Sequence, residues 1–255
     1  MDKQSNCKKT KSIKLEGDSR NHVILIHGYT GSPTDFNGFP NAIQKALGAT
    51  VSVPLLQGHG TNLNDLARFD YGDFFTQIET EIEQAIKQGK RVFLGGYSFG
   101  GSLALDLAAK YPVSGVFTVA TPYKLQFPLS TPLVSIISIM RRSWPKKIDA
   151  AERELRAGAI YYKEMPGRAL PMVKKVSKKL AGTLKNISCP CLTIQSSNDP
   201  IAHKKSGDSI NKGIASVDKK VVILEDSMHG IFYTDSKDVI VSEVVEFLSK
   251  YYDFK

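Results

Sequence analysis

The stretch Arg91-Val92-Phe93-Leu94-Gly95-Gly96-Tyr97-Ser98-Phe99-Gly100-Gly101-Ser102-Leu103-Ala104-Leu105-Asp106-Leu107-Ala108 decides the fold. An apolar, strand-like run leads into Gly-x-Ser-x-Gly, and an Ala/Leu-rich helix follows. A serine placed there sits on a sharp, strained strand-to-helix turn that projects its hydroxyl clear of the sheet. A Cβ two residues before or after it would collide with the neighbouring chain, which accounts for Gly96 and Gly100. The first helix amides and the positive end of the helix dipole face the serine, where negative charge develops during acyl transfer. Ser98 is therefore a candidate nucleophile. The competing possibility is a serine that only caps the helix.

The chain has 255 residues, 42% of them hydrophobic and 23% charged. That composition is ordinary for a globular protein, and the length allows one domain or one domain with an insertion. The first twenty residues are polar and lysine-rich without an apolar h-region, so no secretory signal is expected, and no apolar run is long enough to span a bilayer. Cys7, Cys189 and Cys191 are an odd number, and Cys189-Pro190-Cys191 is too short a spacing to bridge easily. Reduced thiols and a cytoplasmic location follow as expectations. No second Cys/His cluster stands near Cys189 and Cys191, so no metal site is expected, and no cofactor.

The formal net charge is +9, and its distribution says more than its sum. Residues 123–185 hold 14 Lys/Arg against 4 Asp/Glu, a net of +10, which leaves the rest of the chain near neutral. The segment shows neither basic–aromatic interleaving nor a nucleic-acid motif, so a solvated lysine-rich face is expected and nucleic-acid binding is not. With its apolar residues it also permits weak contact with a lipid surface or acidic substrates.

Along the chain, residues 1–20 read as a tail with a short edge strand at Ile13-Lys14-Leu15. His22–Ile26, Ala49–Pro54, Gly115–Ala120, Cys191–Gln195 and Lys220–Leu224 read as further strands. Helices are expected over Asp35–Leu47, with Pro40 a flaw, over Tyr71–Gln88 ended by Gly89, around His203–Lys212 and over Lys237–Tyr251. The strand–helix rhythm implies an α/β fold with a mostly parallel central sheet and helices on both faces. It breaks at 123–185, which is expected to be an inserted, basic, helical unit between core segments 21–122 and 186–255. Active sites in such sheets gather outside the carboxyl ends of the strands.

A serine hydroxyl needs a base, and the base needs a third group to fix its tautomer. Of five histidines, His22 begins a strand far from those ends, His203 opens a helix, and His27 and His59 stand in glycine-rich loops. His229, in Glu225-Asp226-Ser227-Met228-His229-Gly230 after the last strand, is the candidate base. Asp199, the carboxylate in the loop after the preceding strand, is the candidate acid, with a helix N-cap as its other possible role. Glu225 and Asp226 lie too close along one short loop to reach back, and Asp208 falls inside a helix. Two backbone N–H groups should hold the oxyanion, one from Phe99 and one from Tyr29 in the loop after the first buried strand. His27 is expected to brace that loop. Gly28, Tyr97 and His59 are expected at the substrate. So are Ile136, Ile137, Met140 and Trp144, as an acyl-chain lining, although the same apolar run would serve equally as core of the insertion.

His27-Gly28-Tyr29-Thr30-Gly31-Ser32-Pro33, Gln57-Gly58-His59-Gly60, Gly96-Tyr97-Ser98-Phe99-Gly100-Gly101, Asn198-Asp199 and Met228-His229-Gly230 occur in this order. Together they resemble the α/β-hydrolase superfamily, and within it the small bacterial carboxylesterases and monoacylglycerol lipases, over about residues 21–252. The resemblance implies the α/β-hydrolase fold, a helical cap at 123–185, a Ser98–His229–Asp199 triad and a small-molecule ester substrate. Residues 123–185 match no motif of the family. Dehalogenases and epoxide hydrolases of this fold carry Asp where Ser98 stands, which argues against them. A thioesterase or acyltransferase would use the same triad. A non-catalytic binding protein on this fold would be marked by a missing triad residue, and all three are present. Nothing in the sequence sets the oligomeric state.

Overall fold

Seven strands build the central sheet: β1 (Ile13–Leu15), β2 (Asn21–Ile26), β3 (Thr50–Val53), β4 (Arg91–Tyr97), β5 (Gly115–Val119), β8 (Cys191–Ser196) and β9 (Lys219–Leu224). Two more, β6 (Ser143–Pro145) and β7 (Glu164–Pro166), pair separately. These come from a computed structural model that describes residues 10–17, 20–146, 148, 150–225 and 228–252; Cys7, Asp226 and part of the expected tail lie outside them. The order in the sheet is β1-β3-β2-β4-β5-β8-β9. All neighbours are parallel except β1, which runs antiparallel to β3 at the edge.

The pleat divides the core in two. Successive side chains on a strand point to opposite faces, so Val23, Leu25 and Phe93 enter one apolar cluster while Ile24, Ile26, Val92 and Leu94 enter the other. Helices α1 (Phe39–Leu47) and α9 (Ser236–Tyr251) cover the first face through Phe39, Ile43, Ile240, Val244 and Leu248. The second face is covered by α3 (Tyr71–Lys87), α4 (Phe99–Ala108), α7 (Ala169–Thr183) and α8 (Lys205–Gly213). The short α2 (Leu63–Leu66) adds Leu66 to that cluster.

Pro40 is no flaw. A 3-10 turn at Pro33–Phe36 and left-handed Asn37 and Gly38 precede α1, so Pro40 falls in the first turn of a helix that begins at Phe39. A proline there removes an N–H that has no partner within the helix anyway.

The stretch between β5 and β8 contains α5 (Pro132–Met140), α6 (Ala150–Leu155) and α7, but it is not all helix as expected. Trp144 pairs with Met165 in the antiparallel ribbon β6–β7, whose ends carry Pro145 and Pro166. Proline disfavours helix interiors, and an aromatic residue suits a pleated strand. Within the same stretch, Val176 and Leu180 of α7 are buried in the core beside α4.

Candidate active site

Ser98 occupies the turn between β4 and α4 with φ +54° and ψ −122°, a left-handed conformation that costs a non-glycine residue on the order of 1–3 kcal/mol. Its neighbours must be glycine for lack of room. A Cβ on Gly96 would lie 2.2 Å from the Gly100 carbonyl oxygen, and one on Gly100 would lie 2.0 Å from that of Ile26. The Ser98 N–H donates to the Val119 carbonyl at 2.8 Å, which fixes the bend to β5.

His229 Nε2 lies 2.9 Å from Ser98 Oγ, and His229 Nδ1 lies 2.7 Å from Asp199 Oδ2. Asp199 is buried. Its other oxygen, Oδ1, accepts the N–H groups of Ile201 at 2.7 Å and Ala202 at 2.9 Å. Three residues from separate loops thus meet at the carboxyl ends of β4, β8 and β9. With Nδ1–H donated to the carboxylate, Nε2 is left as acceptor for the serine proton, the arrangement a general base requires. Among the carboxylates set aside above, Glu225 and Asp208 are exposed. His203 Nδ1 accepts the Lys205 N–H, and His22 bonds Ser52 within the sheet.

Tyr29 and Phe99 flank Ser98. Their rings stand edge to face, centroids 5.5 Å apart. A Cβ on Gly28 would sit 3.5 Å from Ser98 Cβ, so the 28–29 backbone runs beside the serine. The Phe99 N–H is the first of α4, one of the amides that a helix leaves without an internal partner.

Two imidazoles brace this loop. His27 donates from Nδ1 to the Gly28 carbonyl and accepts the Leu56 N–H at Nε2. His59 donates from Nδ1 to the Gln57 carbonyl and accepts the Thr30 N–H at Nε2, 3.2 Å. Thr30 is itself left-handed, φ +66°, and its carbonyl accepts the Tyr162 N–H at 2.8 Å. His59 is therefore committed inside the protein and not to substrate as expected. Tyr97 is corrected likewise: it is buried, and its hydroxyl donates to the His229 carbonyl at 2.7 Å, so it holds the histidine loop. Position at a strand end gave both residues' neighbourhood but not the direction of their side chains. Ile136, Ile137 and Met140, expected to line an acyl pocket or pack as core, are 58%, 38% and 82% exposed. Trp144 is half-buried beneath the Arg141 guanidinium, 4.6 Å from its ring centre.

Burial pushes His27 down to about 4 and His59 well below its ordinary value, because a dry site disfavours the charged ring. The unfolded chain then binds more protons than the folded one between about pH 4 and pH 6.5, so stability is full above pH 6.5 and falls as pH drops through that window. His27 alone should remove about 2 kcal/mol at pH 5. Urea unfolding at pH 7 and pH 5 measures it, and a fall that His27→Gln leaves equally steep would refute the assignment.

The sequence also concealed a charged clasp. Ser32-Pro33-Thr34-Asp35 forms a capping box, and buried Asp35 meets buried Arg156 of the β5–β8 stretch at 3.4 Å. Arg156 also pairs with Glu152 at 3.2 Å and lies 4.4 Å over the Tyr161 ring. The Ile160 N–H donates to Thr34 Oγ1, and Tyr233 from the histidine loop donates to the Thr34 carbonyl. Burial raises the Asp35 carboxyl despite its cation, so the pair is costly to break rather than strongly stabilising in itself. Arg156→Met should cost about 3–5 kcal/mol in urea unfolding, and Arg156→Met with Asp35→Asn should recover much of it. Equal losses in the single and double variants would show that the stranded charge is not the cause.

Known proteins resemble the chain in sequence and in fold. The chain is 27% identical over 233 residues to a thermostable monoacylglycerol lipase of Bacillus sp. (strain H-257), covering 90% of each. It is 22% identical over 231 residues to a carboxylesterase of Bacillus subtilis (strain 168), covering 89% of this chain and 92% of that one. A solved structure from work on two metagenome-derived lipolytic enzymes, LipS and LipT, superposes with a TM-score of 0.84 at 24% identity, over 95% of this chain and 98% of the other. A model of the alpha/beta hydrolase family matches residues 23–243, and the chain belongs to that family.

Proposed function

We propose that the protein is a serine hydrolase that cleaves carboxylic esters of small molecules, with Ser98 as nucleophile, His229 as general base and acid, and Asp199 as the group that orients it. The observation that carries this is the pair of contacts in series, 2.9 Å from Ser98 to His229 and 2.7 Å from His229 to Asp199. The relatives named monoacylglycerol lipase and carboxylesterase support ester bonds as the target.

In the first step Ser98 Oγ adds to the ester carbonyl carbon while its proton passes to His229 Nε2. The Tyr29 and Phe99 N–H groups hold the resulting oxyanion; one such donor is worth about 3–4 kcal/mol of transition-state stabilisation. The tetrahedral adduct collapses, the C–O bond to the alcohol breaks, and His229 returns its proton to the leaving oxygen. Water then adds to the acyl-Ser98 carbonyl, gives a proton to His229, and the acid departs as Ser98 recovers that proton. Every proton is carried by His229, so the cycle needs no metal or organic cofactor. Gly28, with no side chain beside Ser98, leaves room for the acyl carbon. Residues 123–185 serve as the cap that shapes access. A reducing, cytoplasmic setting suits the free thiols Cys189 and Cys191. No helix among the described residues is long and apolar enough to cross a membrane.

The test is a substrate series: p-nitrophenyl esters from acetate to palmitate, a monoacylglycerol and a matched thioester. Ester turnover well above thioester turnover is expected, with saturation kinetics and stoichiometric labelling by a fluorophosphonate. A protein that turns over the thioester alone, or none of them, overturns the proposal.

A further inference from the structure

Helix α5 is built inside out. Leu133, Ile136, Ile137 and Met140 share one face at helical spacing, and they stand 64%, 58%, 38% and 82% exposed. Ile139 and Phe127 extend the surface at 64% and 81%. The face turned toward the protein sets two serines beside the half-buried Val134. Ser138 is buried and donates to the Ser135 carbonyl, while Ser135 Oγ accepts from Lys174 of α7. Scattered apolar residues on a surface need no explanation, but six large ones gathered within fourteen residues do.

Charge identifies what covers them. Exposed Arg141 and Arg142 follow α5 directly, exposed Lys124 precedes Phe127, and exposed Lys175 and Lys178 lie on the helix packed beside it. A second copy would bring a segment of net +10 against another of net +10. Residues 1–9 of this chain, with Lys3, Lys8 and Lys9, are polar and of the same sign. An anionic lipid surface meets both demands at once, since it accepts apolar side chains between its acyl chains and basic ones among its headgroups.

We propose that the outward face of α5, together with Phe127, docks the protein on anionic lipid aggregates. Its purpose, access to water-insoluble esters, rests on the ester-hydrolase reading; the docking itself does not, so Ser98→Ala protein should dock unchanged. Trp144, the only tryptophan of the chain, lies on β6 just past α5 and reports on the surface. The experiment is co-sedimentation with tryptophan emission, using vesicles of phosphatidylcholine alone and of phosphatidylcholine mixed with phosphatidylglycerol, at low and high salt. Binding at least about tenfold tighter to the anionic vesicles is expected, weakened by salt. Leu133→Ser with Ile139→Ser should weaken it about tenfold or more, because it removes two of the inserting side chains, and should leave the melting temperature unchanged. Failure to bind either vesicle overturns the proposal. So does anionic binding that the double variant leaves intact, or a vesicle-free dimer that the double variant dissolves. If wild-type protein docks but cleaves no ester, the ester reading falls and the docking stands.

Discussion

Ser98→Ala should lower kcat on a p-nitrophenyl ester by about a million-fold and abolish fluorophosphonate labelling, with KM little changed. The loss is large because the acyl-enzyme can no longer form, and the Ser98–His229 contact at 2.9 Å has no other group to activate. On the proposed mechanism it is not total, because the Tyr29 and Phe99 amides would still stabilise an oxyanion formed by direct attack of water, which typically leaves about 10³–10⁴ over the uncatalysed rate. Wild-type turnover in the alanine protein would remove Ser98 from the mechanism. A second substitution separates chemistry from conformation. Alanine keeps the Cβ that makes φ +54° costly, whereas glycine does not. Both variants should be inactive, but Ser98→Gly should be about 1 kcal/mol more stable than Ser98→Ala in urea unfolding, after glycine's own entropy cost is subtracted. Equal stabilities would mean that the turn is not strained at this residue.

The elbow was legible because its constraints are local. Strand, bend and helix are written in consecutive residues, and the glycines at 96 and 100 reflect backbone atoms about 2 Å from where a Cβ would stand. Asp199 and His229 could be found from topology, since parallel strands deliver their loops to one edge of the sheet. What stayed hidden depended on direction or distance. The apolar run that holds Ile136, Ile137 and Met140 could be read as lining or as core, but whether those side chains look inward is decided by the packing of α5 on α7. The capping box at Ser32–Asp35 is a local pattern, yet its cation stands 121 residues away and leaves no trace near it. His59 and Tyr97 lie where substrate residues are expected, and only the atoms they bond show that they serve the loops.

Asp199→Asn should cost about 10⁴-fold in kcat while leaving KM and the melting temperature nearly unchanged. The direction of the amide decides this. Asp199 Oδ1 accepts two backbone N–H groups, from Ile201 and Ala202, at 2.7 and 2.9 Å. In asparagine only the carbonyl oxygen can take that place, because an NH₂ group there would face two donors. The NH₂ is then turned toward His229 Nδ1, which must become the acceptor. The ring proton moves to Nε2, facing Ser98, and the base has no lone pair left for the serine hydroxyl. Geometry and burial survive, so binding and stability do, and the fluorophosphonate reaction should slow in parallel with turnover because it needs the same deprotonated serine. A variant that loses stability as severely as activity would instead mark Asp199 as the N-cap of its loop, held for Ile201 and Ala202 alone. One that keeps activity would mean that His229 takes its orientation from elsewhere, with the Tyr97 hydroxyl on its carbonyl the nearest such tether.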